Sequence, residues 1–187
     1  MKNTAQEQVK EHYQRLRKLS CEVLWTQEVP LFNAAPPAQR TRLVSVVRAV
    51  GVVFLETGTP AQWETARKWL RGLLGDSEEK VRRYAMVALS KLGGGEAEEK
   101  RLLQLVGKAA GERESRFLVQ TLERIGGSET LKAGEVAQGE LSQVVQKVRA
   151  NVARREGSGE IAFEQPLRSV ANVRVVLECR AGLESVL

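Results

Sequence analysis

One histidine, His12, one aspartate, Asp76, and two cysteines, Cys21 and Cys179, are the side chains this chain offers for metal binding beyond its glutamates. A zinc site needs three or four Cys, His or carboxylate ligands brought close together. One histidine with two cysteines near opposite ends of the sequence supplies no such set, so no metal centre is expected. Cys21 and Cys179 read as small buried hydrophobes in a reducing compartment. His12 stands beside Tyr13 in a charged segment with no motif-placed nucleophile, which argues for a surface or helix-edge residue and against a general base. Asp76 is followed three positions on by Glu79, the spacing of a helix capping box, which predicts a structural role at a helix start.

What remains is electrostatic. The 187 residues include 29 Lys and Arg against 23 Asp and Glu, a net charge of +6. The surplus is N-terminal: residues 1–75 carry 11 basic side chains against 6 acids, whereas residues 117–187 carry 9 of each. Arg67, Lys68 and Arg71 fall off the apolar face of their segment and are predicted to form a stripe with Arg40 and Arg42. On the concave side of a curved helical array that stripe would hold a phosphodiester backbone, read by charge and not by base. On the convex side it would serve solubility.

The elements that must carry these residues read as helices. Aromatic residues make up only 5% of the chain, so the core has to be Leu, Val and Ala, which suits packed helices. Val9, Tyr13, Leu16 and Val23 recur at helical spacing and predict a helix over residues 4–24. Pro30, Pro36 and Pro37 then predict a break. The run "RTRLVSVVRAVGVVFLETG" is apolar nearly all round, as in a helix enclosed by neighbours. Thr59 and Pro60 predict the N-cap and first position of the next helix, with Trp63, Ala66, Leu70, Leu73 and Leu74 on its apolar face. A further helix follows Asp76 with Val81, Tyr84, Ala85, Ala88, Leu89 and Leu92 inward, ended by glycines 93–95. Trp25 is predicted to anchor the N-terminal helix on this array. No apolar stretch is long enough and uncharged enough to span a bilayer, which predicts a cytoplasmic protein with no membrane partner.

Shifted by 33 positions, the sequence meets itself: Leu70 lands on Leu103, Glu79 on Glu112, Arg83 on Arg116, Leu89 on Leu122 and Gly93 on Gly126. Lys80/Arg113 and Tyr84/Phe117 are conservative matches in the same register. A two-helix unit of this length is the signature of an α-solenoid. The segment "LLGDSEEKVRRYAMVALSKLG" resembles a HEAT repeat, and "AAGERESRFLVQTLERIGG" resembles a weaker copy, with Glu114 at the Val81 position and Ala109 in place of Asp76. The resemblance covers residues 39–130. It implies an all-α, HEAT-like solenoid of about three helical pairs, in which Arg83 and Arg116 are structural, bonding the turn of the neighbouring repeat.

Leu141, Val144, Val145, Val148 and Val152 predict a closing helix over residues 139–155, and "RREGSGE" predicts a boundary. Beyond it, Val173, Val175, Leu177 and Cys179 alternate with Arg174, Val176 and Glu178, the period of a β-strand. The tail "LECRAGLESVL" is similar to the opening of the Rossmann-type domain in THUMP-associated RNA methyltransferases, through Cys179, Gly182, Leu183, Glu184 and Leu187. That resemblance implies a natural protein continuing past Leu187, with S-adenosylmethionine bound only by the downstream domain and no cofactor in this chain.

The sequence thus predicts three regions: residues 1–38, an N-terminal helix and Pro-rich connection; residues 39–156, HEAT-like repeats; and residues 157–187, a linker and the start of an α/β domain. The expected function is that of a non-catalytic interaction module, the N-terminal extension of a THUMP-type RNA methyltransferase, docking RNA or a protein partner, with intramolecular docking to the downstream domain as a further possibility. Two alternatives stand beside it. One is a free-standing HEAT scaffold for protein partners. The other, more distant, is a HEAT-like alkylpurine DNA glycosylase using Asp76 near Trp63 and Trp69.

Overall fold

In the computed structural model, residues 5–134 and 140–157 are described, and every regular element among them is helical. The strand expected at residues 173–179 and the tail that resembles a methyltransferase opening lie outside the described residues.

Helix α1 spans Ala5–Leu16, shorter than the helix expected over residues 4–24. The chain turns at residues 17–20, and Ser20 restarts it by accepting a hydrogen bond from the Val23 backbone N–H at 3.2 Å. Helix α2, Cys21–Val23, then runs through a wider π-turn at Leu24–Glu28 into α3, Val29–Ala34. Pro30 was expected to end helical structure, yet it sits in the first turn of α3. A proline within an α-helix lacks one N–H and collides with the carbonyl four residues back. The π-turn immediately ahead, whose last bond runs from the Val29 N–H to the Leu24 carbonyl, loosens that spacing and carries the helix past the ring. A single short turn, α4 (Pro37–Arg40), leads to α5 (Val44–Thr57).

The next boundaries follow the sequence signals closely. Thr59 caps α6 (Pro60–Leu73) in a reciprocal box with Gln62, whose side chain accepts from the Thr59 N–H at 2.8 Å. Helix α7 (Glu79–Leu92) and helix α9 (Glu112–Ile125) lie 33 positions apart from first residue to last. Between and after them come α8 (Glu96–Leu103), α10 (Ser128–Gly134) and α11 (Glu140–Gly157). Gly93 ends α7 at φ 88°, where any side chain would strain the backbone.

The helices pack in two rows. In one, α1 lies on α5, α5 on α7, α7 on α9 and α9 on α11; in the other, α6 lies on α8 and α8 on α10. Contacts of α5 with α6, α6 with α7, α8 with α9 and α10 with α11 tie the rows together. Helix α5 sits at the centre, with Val44, Val46, Val47, Val50, Val53 and Phe54 all buried. Its approach to α7 is so close that a Cβ on Gly51 would stand 2.7 Å from the Cα and Cβ of Ala88. Residues of the N-terminal region share this core: Tyr13, Leu16, Leu24 and Phe32 belong to the same buried cluster as Leu89 and Val148. Trp25 is the expected anchor, meeting Phe54 edge-on at 5.7 Å and Trp69 at 6.0 Å, while Phe32 meets Trp69 at 5.6 Å.

Candidate nucleic-acid interface

The five basic residues singled out in the sequence do not act alike. Arg40 ion-pairs with Asp76, and Arg71 with Glu98 of α8, both acids being almost fully enclosed. Arg67 is itself buried and bonds Glu64 at 2.7 Å along its own helix. Arg42 and Lys68 are exposed. Three of the five cations, Arg40, Arg67 and Arg71, are therefore bonded to carboxylates.

Asp76 has a different role from the one its spacing suggested. The residue in cap position of α7 is Glu78, and Asp76 lies two residues earlier. Its Oδ1 accepts from the Glu78 N–H at 2.9 Å while Oδ2 takes Arg40, so it folds the turn and ties α4 to it. With only 1% of the side chain exposed, it presents no carboxylate to a cleft.

Arg83 bonds Glu79 at 2.7 Å within α7 and stands 5.7 Å from the Phe117 ring centre of α9. Arg116 is exposed and bonds Glu112 of its own helix at 2.9 Å. The residue that reaches across to the next unit is the one just before Arg83, Arg82. It donates to the carbonyls of Asp76 and Ser77 and to both oxygens of Glu114. Sequence reasoning passed over Arg82. The available signal was Glu114, a carboxylate standing where the first copy has the fully buried Val81, because a buried acid needs a cation.

His12 is wedged at the α1–α5 contact. Its Nδ1 lies 2.7 Å from Ser45 Oγ, and its Nε2 lies 4.0 Å from Glu28, which also takes Arg15 at 2.9 Å. Burial, reinforced by the Arg15 charge and opposed by Glu28, holds its pKa below the usual histidine value. The Ser45 hydroxyl is spent on this packing contact.

The row α1, α5, α7, α9 carries a second set of cations on its open face. A cavity of about 510 Å³ is lined by Lys10, Tyr13, Arg48 and Tyr84, and one of about 220 Å³ by Arg48, Arg83, Tyr84, Lys91, Arg113 and Phe117. Arg48 and Tyr84 line both, so the two cavities adjoin, and together they make a groove-like face across four helices. Helical spacing puts the residues there: Lys10 and Tyr13 are three apart, Tyr84 and Lys91 seven, Arg113 and Phe117 four. Tyr84 and Phe117 are equivalent positions of the 33-residue register, so the repeat itself returns a ring to the groove.

The groove's electrostatics differ from those of the predicted stripe. Lys10, Arg48 and Arg113 have no carboxylate at ion-pairing distance among the described residues; the guanidinium of Arg48 lies instead over the Tyr13 ring, 4.1 Å from its centre. Glu7 is the acid at the groove's edge. Apolar walls beside unpaired like charges concentrate a positive field, the condition for attracting a polyanion. Among the described residues no cluster of three or more His, Cys, Asp or Glu could hold a metal ion, and no helix is long and apolar enough to cross a membrane.

No family model, curated protein or solved structure matches the chain.

Proposed function

We propose that this chain is a non-catalytic interaction module that docks RNA along the groove of α1, α5, α7 and α9. The observation that carries the reading is the contrast between two classes of cation. Those that join one helical pair to the next are each matched to a carboxylate, as Arg40, Arg71 and Arg82 are. Three of the cations that line the groove are not matched in this way among the described residues: Lys10, Arg48 and Arg113 have no carboxylate at ion-pairing distance and face the same open surface, whereas Arg83 there bonds Glu79. Phosphate oxygens are the complementary group, and several at regular spacing match several cations on parallel helices.

The two rows of helices, with the 33-residue offset between α7 and α9, support a HEAT-like solenoid as the arrangement that builds this groove. Assignment as the front end of a THUMP-type RNA methyltransferase is supported by the resemblance in residues 177–187, and reading the gene past the codon for Leu187 tests it.

RNA docking is tested by measuring affinity at several salt concentrations. A single strand held by three cations loses affinity with a log–log slope of roughly −2, about −0.7 for each phosphate neutralised. Binding that needs a protein partner and ignores salt would favour a protein–protein scaffold instead.

A further inference from the structure

We infer that the RNA segment held in the groove is single-stranded, and that one of its bases stacks on Tyr84. The inference rests on the docking reading above and adds the form of the ligand. It comes from the state of the groove's three rings. Tyr13 is buried, with Arg48 over its face. Phe117 is half-buried beside Arg83. Tyr84 is half-buried as well, but among the described residues it has no ring partner, no cation over its face and no hydrogen bond to its hydroxyl.

Its position gives that ring a purpose. Tyr84 lines both cavities, so it stands where they meet, on the third of the groove's four helices. Lys10 and Arg48 lie on the α1–α5 side of it, and Lys91 and Arg113 on the α7–α9 side. Three interhelical steps of about 9 Å make the groove roughly 27 Å long, enough for a few nucleotides. A strand laid across it meets cations before and after the ring, and the base between them meets the tyrosine.

A duplex cannot use this arrangement. Its bases are stacked on one another and present only edges, and A-form RNA keeps those edges within a deep, narrow major groove and a shallow minor one. A single strand exposes base faces, and stacking on an aromatic side chain tolerates any base because each has a π-face.

The experiment compares fluorescein-labelled oligoadenylate alone and annealed to oligouridylate, against the intact chain and the variants Tyr84→Leu, Tyr84→Phe and Arg48→Glu/Arg113→Glu, each checked for native helicity. The single strand is expected to bind more tightly than the duplex. Tyr84→Leu is expected to weaken it roughly tenfold, the scale of one lost base stack, while Tyr84→Phe, which keeps the ring, retains the affinity. If duplex and single strand bind equally and Tyr84→Leu changes nothing while Arg48→Glu/Arg113→Glu still abolishes binding, the inference fails and RNA docking stands. A loss in Tyr84→Phe equal to that in Tyr84→Leu also overturns it, because the hydroxyl and not the ring would then be the contact. If neither form binds, docking itself is wrong.

Discussion

Arg82 of α7 and Glu114 of α9 form a two-pronged ion pair across 32 positions of sequence, with the carboxylate 3% exposed and the guanidinium 16%. Glu114 also accepts from the Ala110 N–H at 2.7 Å, so one acid joins the turn ahead of α9 to α7 of the preceding unit. The geometry explains the mismatch in the second copy of the repeat. Where the first copy buries Val81 against its neighbours, the second buries a carboxylate and takes its counter-charge from the preceding unit.

Removing one side of that pair leaves a buried charge without its partner. Arg82→Met is therefore expected to lower the unfolding free energy by about 3 kcal/mol, and Arg82→Met with Glu114→Met to recover most of it. Urea melts of the three chains measure this. An Arg82→Met chain as stable as the parent would show that the pair contributes nothing.

The same pair sets an acid limit. The hydrogen bond from Arg82 holds the Glu114 carboxyl below its ordinary pKa, against the opposing effect of burial. The unfolded chain therefore binds a proton more readily, and the stability the pair supplies is present above the unfolded-state pKa and lost as pH falls through the folded one. Acid unfolding of Glu114→Gln should be less steep than that of the parent below about pH 4.5.

His12 acts in a higher window. Its pKa is lowered, chiefly by burial, so the folded protein keeps it neutral where the unfolded chain would protonate it. Stability is expected to fall as pH drops below about 6.5 and to go on falling until the folded histidine itself takes a proton. Arg15 and Glu28 are the charged groups facing the ring, and the Arg15 charge adds to burial. His12→Gln should flatten the pH dependence below about 6.5. An unchanged profile would place the titration elsewhere.

The α5–α7 contact gives the sharpest steric expectation. A methyl group at Gly51 would have to displace the backbone of Ala88 on the facing helix, not merely a flexible side-chain end. Gly51→Ala is expected to cost about 1–3 kcal/mol, the range for overpacking a filled core. Gly72, whose Cβ would meet nothing within 4 Å, serves as the control and should tolerate alanine.

Much of this fold was legible in the sequence because its elements are long and periodic. The apolar faces predicted for α6 and α7 are the faces that pack, and Thr59 and Pro60 start α6 as their types demand. Two boundaries were not legible. The Ser20 restart sits inside an unbroken periodic run, and the π-turn before Pro30 leaves no mark in residue types. The cation assignments depended on something sequence does not display, namely which carboxylate each arginine reaches. Arg40 and Asp76 are 36 positions apart, as are Asn33 and Trp69, bonded at 3.0 Å. The sequence placed the interest at Arg40, Arg42, Arg67, Lys68 and Arg71, of which Arg40, Arg67 and Arg71 bond carboxylates. The groove's cations come from four helices, and only the Tyr84/Phe117 register hinted that one face repeats.

The most direct test of the account is the salt dependence of RNA affinity for the parent chain, for Arg48→Glu/Arg113→Glu and for Arg42→Glu/Lys68→Glu. Docking along the groove predicts that the first variant loses most of its affinity and that its log–log slope shallows by roughly 1.4, two phosphates' worth. The second variant should bind nearly as the parent does. If the loss instead follows Arg42 and Lys68, or if the parent binds no RNA at low salt, the groove is not the docking surface.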